Sequence, residues 1–140
     1  KHIYTSRERA QILNDLLIGI KPYIKQGDHL FAYGSIPAIN YMTRTKPFIG
    51  CSWPELLGEP LFRHKLNNYS GPLPAILRQK FNSIGKEFGE PSENYLIDCG
   101  IETGPFRSNK KHRVINEFIE KNKYKTVFEN QYFVLYLPEK

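Results

Sequence analysis

The segment at residues 27–42, GDHLFAYGSIPAINYM, constrains the fold more than any other part of the chain. Residues 29–33 are a short apolar run opened by Gly27-Asp28, and Gly34-Ser35 breaks it. Ile36, Ile39 and Tyr41 then recur at helix-like spacing around Pro37. A strand that feeds a helix through a Gly-Ser turn is the start of a βαβ unit. Strands joined in this way lie parallel, because parallel neighbours need a crossover between them.

The rest of the chain extends this pattern. Thr5-Ser6-Arg7-Glu8 reads as a capping box with Thr5 as N-cap. Leu13, Leu16, Leu17, Ile20 and Ile24 give the following helix one apolar face, and Pro22 ends or kinks it. Phe48-Ile49-Gly50-Cys51 is a short strand candidate. Residues 53–66 look helical, capped by Ser52 with Pro54 in the first turn and interrupted by Gly58 and Pro60. Residues 67–74 are a loop, and 74–78 a third strand. Residues 81–93 read as loop, 94–98 as a short strand and 100–108 as loop again. Ser108 caps a helix to about residue 121, with Val114, Ile115, Phe118 and Ile119 as its buried stripe. Residues 124–128 and 132–137 form a hairpin around Glu129-Asn130-Gln131. Its second strand is almost wholly apolar, as expected of a strand covered on both faces. The expected architecture is therefore a single α/β domain over residues 1–140. Its sheet is Rossmann-like and mixed: mostly parallel, with a C-terminal antiparallel hairpin and helices on its faces.

A chain of 140 residues holds one domain with a real core. With 40% hydrophobic and 24% charged residues it is balanced as globular domains are, which argues against disorder. The net charge of +6 favours anionic partners: nucleic acid, lipid headgroups or a phosphate ligand. The cations are spread along the chain, however. The one dense cluster, Arg107, Lys110, Lys111, His112 and Arg113, reads as a solvated helix start. No RNA-recognition motif or zinc-finger spacing accompanies it, so nucleic acid is disfavoured as a partner. No apolar run approaches the ~20 residues that cross a bilayer. Residue 1 is Lys rather than Met, which suggests a piece of a longer chain or a removed leader.

The Gly34-Ser35 turn is the first place to look for chemistry. Backbone N–H groups at the carboxyl end of a strand suit an anion. GxGxxG and GxxxxGK[ST] are both absent, so the simpler reading gives Gly34 a permissive backbone and Ser35 a capping role. Tyr33 and Asp98 complete the candidate binding set. Asp98 stands between apolar Ile97 and Cys99, where a strand-end carboxylate either works on a ligand or bonds a loop. Tyr33, Tyr41 and Trp53 could stack on a sugar or base, although core packing is the commoner role. His2, His29, His64 and His112 show no zinc-site spacing, and HExxH is absent. Neither a metal nor a cofactor is implied. A thiol–imidazole pair of Cys51 or Cys99 with His112 has no support in the spacing, and GxSxG is absent. Asp28 belongs to the Gly-Asp turn, while Glu102 and Glu117 are ordinary surface candidates. No residue is assigned a catalytic role. Two cysteines allow one disulfide or none, and their distance in sequence decides neither.

The order of segments, with Gly27-Asp28, residues 31–35, Pro37, Tyr41 and residues 131–138, resembles the C-terminal soluble domain of polytopic membrane glycosyltransferase-like proteins. These are the protein-mannosyltransferase and aminoarabinose-transferase type, which use lipid-linked sugar donors. The resemblance implies a non-catalytic domain that covers the membrane-side site or binds the acceptor. The longer protein would then be a lipid-linked-sugar glycosyltransferase. Its catalytic carboxylate is expected in an early loop between membrane helices, outside this chain. The implied location is the extracytoplasmic face, periplasmic or extracellular, where a Cys51–Cys99 disulfide would persist. The implied partners are the membrane-embedded remainder of the same chain, anionic lipid headgroups and the lipid-linked sugar. From the residues alone two rivals stand beside it. One is a self-contained module binding a nucleotide or other phosphate ligand at the Gly34-Ser35 turn. The other is a small transferase using the same turn.

Overall fold

The computed structural model describes residues 6–34, 36, 38–80 and 106–139, without the side chains of residues 55 and 106–110. The loop and strand expected between residues 81 and 105, Asp98 and Cys99 among them, lie outside the described residues, as do Ser35 and Pro37.

Helix α1 (Arg7–Ile20) starts at Ser6, whose hydroxyl accepts the Arg9 N–H at 3.3 Å. The cap is therefore Ser6 and not Thr5. The helix stops at Ile20, two residues ahead of Pro22. In the turn that follows, Asp28 Oδ2 accepts the Lys25 N–H at 2.7 Å, the local role expected of it. Strand β1 (His29–Tyr33) and Gly34 come next, then a short helix α2 (Ile39–Thr43). Ala38 is the N-cap of α2, so the cap expected at Ser35 is displaced along the chain. Buried Asn40 ties α2 to the sheet, donating to Leu30 O at 3.2 Å and to Thr45 Oγ1 at 3.1 Å.

Strand β2 is only Lys46–Pro47, and Phe48–Gly50 is a 3-10 turn rather than the expected strand. Ile49 has φ 55°, which ends any extended run there. Phe48 turns inward instead, packing 5.6 Å from the Phe31 ring and 4.4 Å edge-on from the Tyr69 ring. A second 3-10 turn (Pro54–Leu56) precedes α3 (Glu59–Asn67), which is capped by Gly58 with Pro60 in its first turn. The interruption read at Gly58 and Pro60 is thus a helix start, where the missing proline N–H costs nothing. Strand β3 (Ala75–Gln79) is followed by α4 (Phe106–Lys121), then β4 (Tyr124–Glu129) and β5 (Phe133–Pro138). Helix α4 begins two residues before Ser108, which therefore lies inside it. Asn130 Oδ1 accepts the N–H groups of Tyr132 and Phe133 at 2.9 and 2.8 Å and shapes the hairpin loop.

The sheet order is β2-β1-β3-β5-β4. Strands β2, β1 and β3 are parallel; β5 runs antiparallel to β3, and β4 antiparallel to β5. The α/β class and the mixed sheet are as expected. Strand β5 is interior, which explains its apolar run: Leu135 lies opposite Leu77 on one side and Phe128 on the other.

Alternation along the strands makes two cores. Leu30, Ala32, Ala75, Leu77, Phe133 and Leu135 face α1 and α2. Phe31, Tyr33 and Ile76 face α3 and α4, where they meet Phe62, Leu66, Val114, Ile115 and Phe118. Val114, Ile115 and Phe118 are buried and Ile119 half-buried, as the stripe read on α4 requires.

Candidate functional site

Strands β1 and β3 lie side by side with Tyr33 opposite Arg78, so their carboxyl ends form one edge. From that edge the chain leaves β1 for α2 on one face, while β3 leads on to α4, which covers the other. In α/β sheets, ligands are bound at the carboxyl ends of adjacent parallel strands where the topology switches direction.

The side chain that stands out at this edge is Arg78. Period-two alternation sets it on the Ile76 face, toward α4. Its Nη1 donates to Asn116 Oδ1 at 2.6 Å, and its Nη2 to His112 Nδ1 at 2.8 Å. It also hydrogen-bonds the Tyr136 hydroxyl. Burial lowers its pKa below the ordinary arginine value, opposed by Tyr136 and Tyr33, but a guanidinium stays charged throughout the working pH range. The His112 pKa is pushed down to about 4, first by burial and then by the Arg78 charge. Because Nδ1 accepts from Arg78, the neutral ring carries its proton on Nε2. Tyr33 packs edge-on against that ring at 5.2 Å.

Of the residues singled out from sequence, Tyr33 does reach this edge, but at 2% exposure its ring is core, packed at 6.0 Å from Phe62. Gly34 follows it with φ 135°, directly over Gln79: a Cβ on Gly34 would lie 2.6 Å from Gln79 Oε1. Close packing between the strand ends requires a glycine here. Ser35 and Asp98 lie outside the described residues. So does Cys99, while Cys51 is a half-buried free thiol. Tyr41 is 70% exposed on α2, and Trp53 is half-buried. His64 pairs with Asn68 on its own helix, and Glu117 with Arg63 at 3.2 Å. An open hollow of about 510 Å³ lies beside α2, lined by Asn40, Tyr41, Met42, Arg44 and Thr45. All five belong to that helix and the turn after it. Among the described residues no three His, Cys, Asp or Glu side chains gather as metal ligands. No described helix is long and apolar enough to cross a membrane.

Sequence reasoning missed Arg78, Asn116 and Tyr136, and it read His112 as part of a solvated cluster. The available signal was an arginine inside AILRQ, a strand run whose alternate positions face a core. A cation there must find acceptors or a ligand. Compared with protein-family models, curated proteins and solved structures, the chain matches none.

Proposed function

We propose that this chain is a non-catalytic, extracytoplasmic domain of a membrane glycosyltransferase-like protein, and that it engages the acceptor or donor at the carboxyl edge of β1 and β3. On this reading the sheet is used in a Rossmann-like way, with the working face at the switch point. One observation carries the reading: among the described residues, the side chains that converge on this edge are one arginine and the neutral groups of His112, Asn116 and Tyr136. Such a set holds and orients a charged group, whereas bond-breaking needs a nucleophile or an acid–base pair poised on the reacting atoms. Support for the membrane attachment comes from the segment order and from the +6 charge, which suits a phosphate-linked donor or anionic headgroups.

Two measurements test this. The purified chain, given a polyprenyl-phosphate sugar, is expected to leave it intact; turnover abolished by a point change in the chain refutes the non-catalytic role. The coding sequence upstream of Lys1 is expected to hold several apolar spans of ~20 residues. An initiator codon immediately before Lys1 refutes the attachment.

A further inference from the structure

Arginines drawn into a fold are ordinarily met by a carboxylate. Among the described residues Arg78 is not: its partners there, Asn116, His112 and Tyr136, are all uncharged. Three described acids on the surrounding elements are engaged elsewhere. Glu59 and Glu117 both pair with Arg63, at 2.7 and 3.2 Å, and Glu129 pairs with Lys80 at 2.5 Å. Glu117 is next in sequence to Asn116, yet it turns to Arg63 and leaves the amide to Arg78. Lys111 and Arg113 flank His112 in the sequence of α4.

The three neutral acceptors do more than satisfy Arg78. Held from α4 and β5 at once, the guanidinium is fixed in orientation before any ligand arrives. A pre-set planar fork loses less entropy on binding than a free surface arginine and matches oxygens two at a time. It carries five N–H donors, and its partners are three neutral groups. A multiply charged anion gains more from this guanidinium than a single carboxylate does.

We propose that Arg78 anchors an anion-binding site for a phosphate group at the carboxyl edge of β1 and β3. His112 and Asn116 are positioning residues that aim the guanidinium. The phosphate belongs to a soluble phosphate ester or to a lipid headgroup; the chemistry recognised is the same. The proposal rests on this edge being the working face, as read above, but not on attachment to a membrane protein.

The test uses the whole chain and two probes: inorganic pyrophosphate in solution, and phosphatidylcholine vesicles containing phosphatidic acid, against phosphatidylcholine alone. The readouts are NMR shifts of the pyrophosphate-bound chain and sedimentation with the vesicles. With pyrophosphate, saturable shifts are expected at residues 33–34, 78–79 and 112–116, with affinity falling as salt rises. Arg78→Gln is expected to lower affinity about tenfold or more, and Arg78→Lys less, since it keeps the charge and loses the fork. Asn116→Ala, at an exposed position, is expected to weaken binding while the melting temperature holds. Pyrophosphate binding that Arg78→Gln abolishes assigns a soluble phosphate, and vesicle binding that it abolishes assigns a headgroup; either supports the site. Binding of neither probe, shifts centred elsewhere, or binding unchanged in Arg78→Gln overturns it. If Arg78→Gln does not fold, the wild-type shift map and Asn116→Ala decide. Failure to bind leaves the turnover test above intact, and turnover by the chain leaves this site intact, so the two readings fail separately.

Discussion

Gly34→Ala separates a packing role for the turn from a ligand role. Gly34 has φ 135°, a backbone conformation costly for any residue with a Cβ, and we take about 1–2 kcal/mol for it. The added methyl would also stand 2.6 Å from Gln79 Oε1 and closer still to Gln79 Cβ. Gln79 is 2% exposed and cannot swing into solvent, so overpacking adds roughly 1–3 kcal/mol. The two costs are independent, one local and one between strands, so about 2–5 kcal/mol is expected in all. That is a large share of the ~5–15 kcal/mol that stabilises a domain, and it corresponds to a fall in melting temperature on the order of 10 °C. Urea unfolding followed by circular dichroism gives the difference directly. A variant within about 0.5 kcal/mol of the parent would show that the close approach to Gln79 is not real. A variant that keeps its stability but loses anion binding would return the ligand role to the turn.

Leu135→Asp is expected to unfold the chain, since Leu135 is fully buried between β3 and β4 and an unpaired buried carboxylate costs several kcal/mol; a melt within a few degrees of the parent would show that β5 is exposed. Gly19→Ala is expected to destabilise despite alanine's ~1 kcal/mol helix preference, because its Cβ would lie 2.5 Å from Phe128 Cζ on β4; a more stable variant would show that α1 does not approach the hairpin this closely. His112 has its pKa pushed down to about 4 in the fold, against ~6.5 when unfolded, so the unfolded chain takes up the proton first as pH falls. The stability present above ~6.5 should drain away toward about 4, and His112→Gln should flatten that part of the pH–stability curve; an identical slope in both proteins would refute the assignment.

What was legible in the sequence followed how local the cause is. Strand β1 was read at its observed bounds because Gly27-Asp28 and Gly34 punctuate it on both sides. The hairpin was legible because Asn130 sits between two strand-like runs and makes its own turn. Caps were less legible. Thr5 and Ser6 are adjacent and chemically alike, and only the Arg9 N–H chooses between them. Ser108 is a good capping residue, but α4 already runs through it. Phe48 was misread for a different reason. Its apolar neighbours suit a strand, yet the pull on it comes from the rings of Phe31, Tyr69 and Phe118, far away in sequence.

Arg78 was illegible because what makes it a site comes from residues 34 and 38 positions further along the chain, on a helix whose register against β3 no local pattern reveals. Tyr33 and Gly34, singled out from sequence, lie one strand from Arg78. Carboxyl ends of parallel neighbours lie side by side, and Tyr33 is in register with Arg78. The glycine and the arginine are also linked through the strand itself. Gly34 leaves room for Gln79 on the α1 face, and with Gln79 fixed there the alternation of β3 sends Arg78 to the opposite face, toward His112 and Asn116. A bulkier residue at Gly34 would push on Gln79 and twist the end of β3, taking Arg78 out of line with its acceptors. In the proposed site the turn would thus bear on anion binding without touching the anion, through one buried glutamine.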